Sequence, residues 1–169
     1  MSNGPQVQTK PISNQQVMDR MVSIDNPIQG ENVRKLAAAI YGEAAGVKDD
    51  KQRESYMILA GSSFVNRVGK KEWRNKDFDT LMDSTFSAVK FSNQPYKEAM
   101  SGKVPKSSKT RWDQAMRIAN GLMSGGINPV AGQFYFTEDE INKMKGRKSF
   151  DFSIVKEVGT IGKYKIFSY

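Results

Sequence analysis

Hydrophobic residues recur at helical spacing from residue 33 onward. Val33, Leu36 and Ile40 fall three or four residues apart, so they lie on one face of a helix. Gly30 precedes this stretch and Gly46 follows it, and glycine commonly marks the end of a helix. The pattern therefore predicts a first helix between these two glycines.

Further stretches carry the same period. Residues 55–68 predict a second helix, and "FDTLMD" at 78–83 predicts a short one. The clearest apolar stripe runs through residues 109–124, where Ser108 offers an N-cap and Gly125 a stop signal. The first two-thirds of the chain are therefore predicted to be mainly helical.

The middle and the last third of the chain have different patterns. "STFSAVKFSNQPY" lacks a clear period and predicts a long ordered loop, whereas "GQFYFT" predicts a short strand. "TEDE" at 137–140 is a capping-box signature that opens a short helix, and residues 150–169 are rich in strand formers around a "GTIG" turn. These patterns together predict an α+β fold, mostly helical, with a small antiparallel sheet in the C-terminal third.

The N-terminal stretch is polar. Residues 1–30 are rich in Asn, Gln, Ser and Pro, and we expect a flexible arm with at most one short helix near residues 17–22. This arm is either a docking tail or a mobile terminus. Residues 31–169 then form one domain, and the N-terminus shows no apolar signal-peptide core.

Composition narrows the chemistry. The 169 residues include no cysteine and no histidine, which excludes disulfides, thiolate or imidazole metal ligands and Ser-His-Asp triads. The net charge is +8, with basic clusters at 69–71, 103–111 and 143–148. Such a surface either attracts a polyanion or is an ordinary solvated face. No stretch approaches the ~20 apolar residues of a membrane span.

One carboxylate breaks the apolar pattern of the first helix. Glu43 lies three residues past Ile40 and seven past Leu36, so it shares their face. Loss of hydration there favours the protonated form, which suits a general acid. The alternative is a glutamate at the fringe of a helix end that reaches solvent.

Five short motifs carry a family resemblance. "IYGEAAG", "FVNRV", "FSAVKF", "FYF" and "IGKYKIF" occur in the order seen in cell-wall hydrolases of the spore-cortex-lytic SleB type. From residue 33 to the last, the chain resembles that family, whose members are similar to lytic transglycosylases. The resemblance implies a lysozyme-like fold and places the family's catalytic acid at Glu43.

The resemblance also implies a reaction. A lytic transglycosylase cleaves peptidoglycan glycan strands between N-acetylmuramic acid and N-acetylglucosamine, with one acid for both proton transfers. A hydrolysing enzyme would need a second carboxylate roughly 5–9.5 Å away. The sequence offers four candidates, none in a distinctive motif: Asp49, Asp50, Glu54 and Asp83. We expect Asp49 and Asp50 to be solvated charges.

Several side chains are candidates for sugar binding because amide, guanidinium, hydroxyl and aromatic groups suit pyranose rings. They are Asn66, Arg67, Phe86, Ser87, Phe91, Gln94, Tyr135 and Tyr164. Arg67 equally suits the C-terminal dipole of its helix, and Tyr135 equally suits a strand core. We expect no cofactor and no metal.

The chain departs from the family at two places. Tyr164 stands where the family commonly has a histidine, and Tyr56-Met57 stands where a Gly-Gln-like pair is usual. These departures keep a second hypothesis open, a virion structural or adaptor protein that docks through residues 1–30. Nucleic-acid binding rests on the net charge alone, and no specific nucleic acid is expected as a partner.

The expected setting follows from the polar arm and the small size. We expect a bacteriophage protein, held in the virion or in the host cytoplasm before delivery, that acts at the bacterial cell wall. Its arm would contact other virion proteins.

Overall fold

The computed structural model describes residues 27–74 and 76–169. The arm predicted over residues 1–30, with its possible short helix, lies outside the described residues except for its last four positions. Those four positions begin the first described helix rather than continuing an arm.

The described residues form seven α-helices and a three-stranded antiparallel sheet. This architecture confirms the predicted α+β class, with the sheet in the C-terminal part of the chain. The helices are α1 (Pro27–Glu43), α2 (Asp50–Arg67), α3 (Phe78–Thr85), α4 (Ser87–Lys90), α5 (Gln94–Met100), α6 (Lys109–Ser124) and α7 (Glu138–Arg147). The strands are β1 (Phe134–Thr137), β2 (Lys156–Ile161) and β3 (Tyr164–Ser168).

The predicted start of the second helix and the predicted cap at Ser108 are both wrong. Helix α2 begins at Asp50 rather than Ser55, because the Asp49 side chain accepts the Gln52 N–H at 2.9 Å and turns the polar stretch into a first helical turn. Ser108 precedes α6 as predicted but makes no side-chain cap hydrogen bond. It belongs to a 3₁₀ turn instead.

The stretch predicted as a long loop is partly helical. It holds α4 and the start of α5, which are too short to show an apolar period. Asn93 caps α5 by accepting the Tyr96 N–H at 2.9 Å. The predicted capping box of α7 is confirmed, with Thr137 and Glu140 bonded to each other's backbone.

Helix α1 lies at the centre of the main core. Every residue from 36 to 41 has no exposed surface, and α1 contacts α2 and α3 to α6. A helix that is apolar on all sides needs such enclosure. The helix therefore reaches the protein surface at its last residue, Glu43.

The sheet, in the order β1-β3-β2, lies beside α2 and α7. Its register pairs Tyr135 with Ile166 and Thr137 with Tyr164, so Tyr135 and Tyr164 share one face. Phe134 and Phe136 face the other way into a second, aromatic cluster. Within the described chain, no helix is both long and apolar enough to cross a membrane.

The loop before β1 depends on a glycine. Gly132 has a φ of +123°, and its carbonyl accepts the Asn66 side-chain amide at 2.7 Å. A Cβ added there would lie 2.1 Å from Cγ2 of Ile166. Both the backbone conformation and the space therefore exclude a side chain.

We predict that Gly132→Ala lowers the free energy of unfolding by at least about 1–3 kcal/mol, which is the cost of the backbone strain before the clash with Ile166 is counted. Gly146→Ala is the control, because Gly146 lies in α7 with no atom within 4 Å of an added Cβ. It should stabilise by up to about 1 kcal/mol. Urea unfolding measures both, and wild-type stability of Gly132→Ala would contradict the prediction.

Candidate active site

The Glu43 carboxyl is held in a defined position at the end of α1. Its side chain is half-buried, and Oε1 accepts the Ala88 backbone N–H at 2.8 Å. Oε2 lies 3.5 Å from the Tyr56 hydroxyl. One oxygen is therefore fixed by the backbone of α4, while the other has only a long contact.

Burial raises the pKa of Glu43 above its ordinary value. Hydrogen bonds from the backbone of Ala88 and Ser87 and from Tyr56 lower the pKa, but by less than burial raises it. The protonated form therefore persists to higher pH than in an ordinary glutamate. This is the property that the sequence pattern predicted for a general acid.

Gly42 explains how the Ala88 N–H reaches the carboxyl. A Cβ added to Gly42 would lie 2.8 Å from Cβ of Ala88 and 3.0 Å from Oδ1 of Asn93. Helices α1 and α4 therefore approach more closely than any larger residue permits. The Asn93 amide also donates to the Gly42 carbonyl at 3.1 Å and holds the two segments together.

A cavity of about 190 Å³ opens beside the carboxyl. Its walls come from α1, α2, the α3–α4 junction, β1, α7 and β3. The described lining residues are Glu43, Tyr56, Arg67, Thr85, Ser87, Phe134, Tyr135, Phe136, Glu140 and Tyr164. Residues far apart in sequence thus converge on one concave site.

Three tyrosines form an aromatic wall of this cavity. The Tyr56 ring stacks on Tyr164 with centroids 5.3 Å apart, and Tyr135 meets both rings edge-on at 5.8 and 5.7 Å. Burial, and then the Glu43 charge, raises the pKa of Tyr56. Burial likewise raises the pKa of Tyr135 and Tyr164, so all three hydroxyls are neutral at pH 7.

Arg67 lies at the base of the cavity and is only 5% exposed. It donates to the Gln133 carbonyl at 2.6 and 2.9 Å, and to the Ser84 carbonyl and Thr85 hydroxyl. The guanidinium also lies over the Trp73 and Phe134 rings, 4.5 and 4.7 Å from their centroids. Burial lowers its pKa to about 10, so it keeps its charge at neutral pH.

Glu140 is a second carboxylate in the cavity lining that the sequence analysis did not select. Its Oε2 accepts the Thr137 N–H at 2.7 Å in the capping box. The sequence pattern predicts this structural role for Glu140 and no other. Oε1 carries no such bond to the cap. The four carboxylates proposed from the sequence are not among the described lining residues of this cavity: Asp49, Asp50, Glu54 and Asp83. Asp49 caps α2, whereas Asp50 and Glu54 form ion pairs with arginines.

The predicted sugar-binding residues divide into two groups. Four line the cavity with Glu43, namely Arg67, Ser87, Tyr135 and Tyr164. Tyr135 combines both predicted roles, because it also packs against the main core.

The other predicted residues lie elsewhere. Asn66 is fully buried and donates to the carbonyls of Val130 and Gly132, so its amide hydrogens hold a loop instead of facing a substrate. Phe86 is 1% exposed and stacks on Phe64 in the core. Both were selected on residue type, and burial removes them from the sugar-contacting set.

Phe91 and Gln94 are exposed but are not among the residues that line the cavity. Phe91 is 73% exposed at the end of α4, and the Gln94 side chain donates to Glu98 at 3.3 Å. Their contact with a substrate stays a prediction. No group of three or more acidic residues suited to a metal ion occurs in the described part of the chain.

We predict that Gly42→Ala separates α4 from α1 and weakens the Ala88 N–H bond to Glu43. Because that bond lowers the pKa of Glu43, the pKa of the variant should rise further. Carbon-13 NMR titration of the carboxyl measures it. The control is Gly46→Ala, where no atom lies within 4 Å of an added Cβ. An unchanged titration in Gly42→Ala would contradict the packing argument.

We also predict that Glu43→Gln stabilises the fold at neutral pH. Because the folded-state pKa is raised, the folded wild type binds more protons than the unfolded chain, and its stability falls as pH rises above the ordinary value of 4.5. Below that value both states are protonated and the two proteins should be equally stable. Melting temperatures from about pH 4 to about pH 8 test this, with exposed Asp83→Asn as the control. A constant difference across this range would contradict the prediction.

Comparisons with protein-family models, characterised proteins and solved structures found no match for this chain. The geometry of the site is therefore the structural feature that bears on function. That geometry consists of a half-buried carboxyl with a raised pKa, an aromatic wall, a buried cation and a second carboxylate, all on one cavity.

Proposed function

We propose that this protein is a peptidoglycan lytic transglycosylase with Glu43 as its single general acid and base. The observation that carries the proposal is the state of the Glu43 carboxyl, which is partly desolvated, has a raised pKa and is held by the Ala88 N–H on the wall of a cavity. The resemblance of the "IYGEAAG" stretch and the later motifs to SleB-type hydrolases supports the same assignment.

The hydrogen bonds of the carboxyl favour one of its two oxygens as the carrier of the proton. Oε1 accepts the Ala88 N–H, so the proton of the neutral acid belongs on Oε2, the oxygen nearer Tyr56. A glycosidic oxygen bound in the cavity then receives this proton. The bond between that oxygen and the anomeric carbon of the muramic acid breaks, and the glucosamine leaves with a hydroxyl group.

The second step needs no water. The C6 hydroxyl of the muramic acid attacks its own anomeric carbon and closes a 1,6-anhydro ring, while its proton passes to the Glu43 carboxylate. The acid is thereby regenerated. The neutral hydroxyls of Tyr56, Tyr135 and Tyr164 are suited to hydrogen-bond the sugar, and their rings to pack against it.

Glu140 makes the hydrolytic version of the reaction testable. A hydrolase would use a second carboxylate as base or nucleophile, and Glu140 is the acidic residue that shares the described cavity with Glu43. In the proposed transglycosylase this residue serves the capping box and is not required for chemistry.

We predict that wild type releases anhydro-muropeptides from purified peptidoglycan and that Glu43→Gln slows release at least about 100-fold. Glu140→Gln should keep the rate within a few-fold, because its amide oxygen can still accept the Thr137 N–H. Mass spectrometry of the fragments identifies the products. Asp83→Asn is the matched control for loss of one carboxylate.

Two results would contradict the proposal in different ways. Reducing-end products, with loss of activity in Glu140→Gln, would identify a hydrolase with Glu140 as its second carboxylate. Absence of any glycan cleavage, with the protein found in assembled virions, would favour the structural or adaptor role.

A further inference from the structure

A second, larger cavity adjoins the one at Glu43. It encloses about 500 Å³ between the N-terminal half of α2 and the turn that joins β2 to β3. Tyr56 and Tyr164 line both cavities, so their stacked rings are the wall between them. A branched ligand bound at Glu43 would therefore contact the same pair of rings as a group held in the larger cavity.

The two cavities differ in charge. The larger one has an apolar surface from Val47, Leu59 and Ile161, and its described lining residues include no acid. Two exposed lysines, Lys51 and Lys163, stand at its edge. The smaller cavity instead contains the carboxyl groups of Glu43 and Glu140. The cation in its described lining, Arg67, is already bonded to the Gln133 and Ser84 carbonyls, so an anionic ligand group favours the larger cavity.

The lysines are available to a ligand. Neither takes part in the ion pairs found within the described part of the chain. Lys163 lies 5.5 Å from the centroid of the Tyr164 ring, which keeps it beside the shared wall. Ser55 and Gln52 add hydrogen-bonding groups to the same lining.

The ligand that fits is an amphipathic group with carboxylates and small apolar side chains. The glycan of peptidoglycan is neutral once its lactyl groups are amide-linked, whereas the peptide branch on each muramic acid carries free carboxylates and alanine methyl groups. This branch leaves the sugar at C3, on the same muramic acid ring whose bond at C1 is cleaved. A cavity beside the catalytic carboxyl is thus within reach of the branch.

We infer that the cavity of Val47, Lys51, Leu59, Ile161 and Lys163 binds the anionic peptide branch of the muramic acid, and that the enzyme selects peptide-bearing glycan. The inference rests on the proposed function and deepens it. A further stretch of bare glycan would satisfy the tyrosine rings but would leave the lysine charges unused.

The kinetic test compares peptide-bearing glycan strands with the same strands after an amidase has removed the peptides and the freed lactyl carboxylates have been capped as methylamides. The Lys51→Gln/Lys163→Gln double variant should lose about 3- to 10-fold in kcat/KM on peptide-bearing strands, as expected for exposed ion pairs. It should be unchanged on bare strands. The matched control is Lys103→Gln/Lys106→Gln, which removes equal charge from another exposed basic cluster.

Equal losses on both substrates, or no loss on either, would overturn the inference. A binding measurement separates its failure from failure of the proposed function. The probes are a GlcNAc–MurNAc disaccharide with its peptide and the same disaccharide with its lactyl group capped as the methylamide, each added to Glu43→Gln for NMR. Shifts at Lys51, Ser55 and Lys163 that require the peptide would support the cavity even if wild type cleaves nothing, and their absence would refute it.

Discussion

The enclosure of helix α1 is the constraint on which the rest of the structure depends. Residues 36–41 are fully buried, so five other helices must pack around them before the chain gains a core. An enclosed helix can place a polar side chain only where it leaves the core. Glu43 occupies that exit, which is why its carboxyl is partly desolvated yet still reaches a cavity.

The close contact at Gly42 determines which groups surround the Glu43 carboxyl. Because α4 packs directly on the glycine, the Ala88 N–H reaches Oε1 and leaves Oε2 facing Tyr56. The same burial that raises the pKa of Glu43 costs stability at neutral pH, since the ionised form is disfavoured in the folded state. The raised pKa of this residue is therefore accompanied by a loss of stability at neutral pH.

Much of the fold could be predicted because its signals are local. The stripe of α6, the capping box of α7 and the C-terminal strands each depend on neighbours in sequence. The helices α4 and α5 were missed because their order comes from contact with α1 and from the Asn93 cap.

The site was predictable only in part for a related physical reason. Glu43 stands out because it breaks an apolar period, whereas Asn66 and Phe86 look like sugar ligands until their burial is known. Glu140 already had a local role in its capping box, so nothing in the sequence marked it as a cavity residue. The spacing of residues along the chain does not predict which distant segments line the same cavity.

The stacked pair of Tyr56 and Tyr164 has a consequence for the order of assembly. The helices alone position the carboxyl, but the aromatic wall is complete only when the last strand docks against α2. An intermediate without the docked sheet would leave Glu43 open to water, with less of the desolvation that raises its pKa. A chain without its docked last strand would therefore lack the environment that the proposed general acid needs.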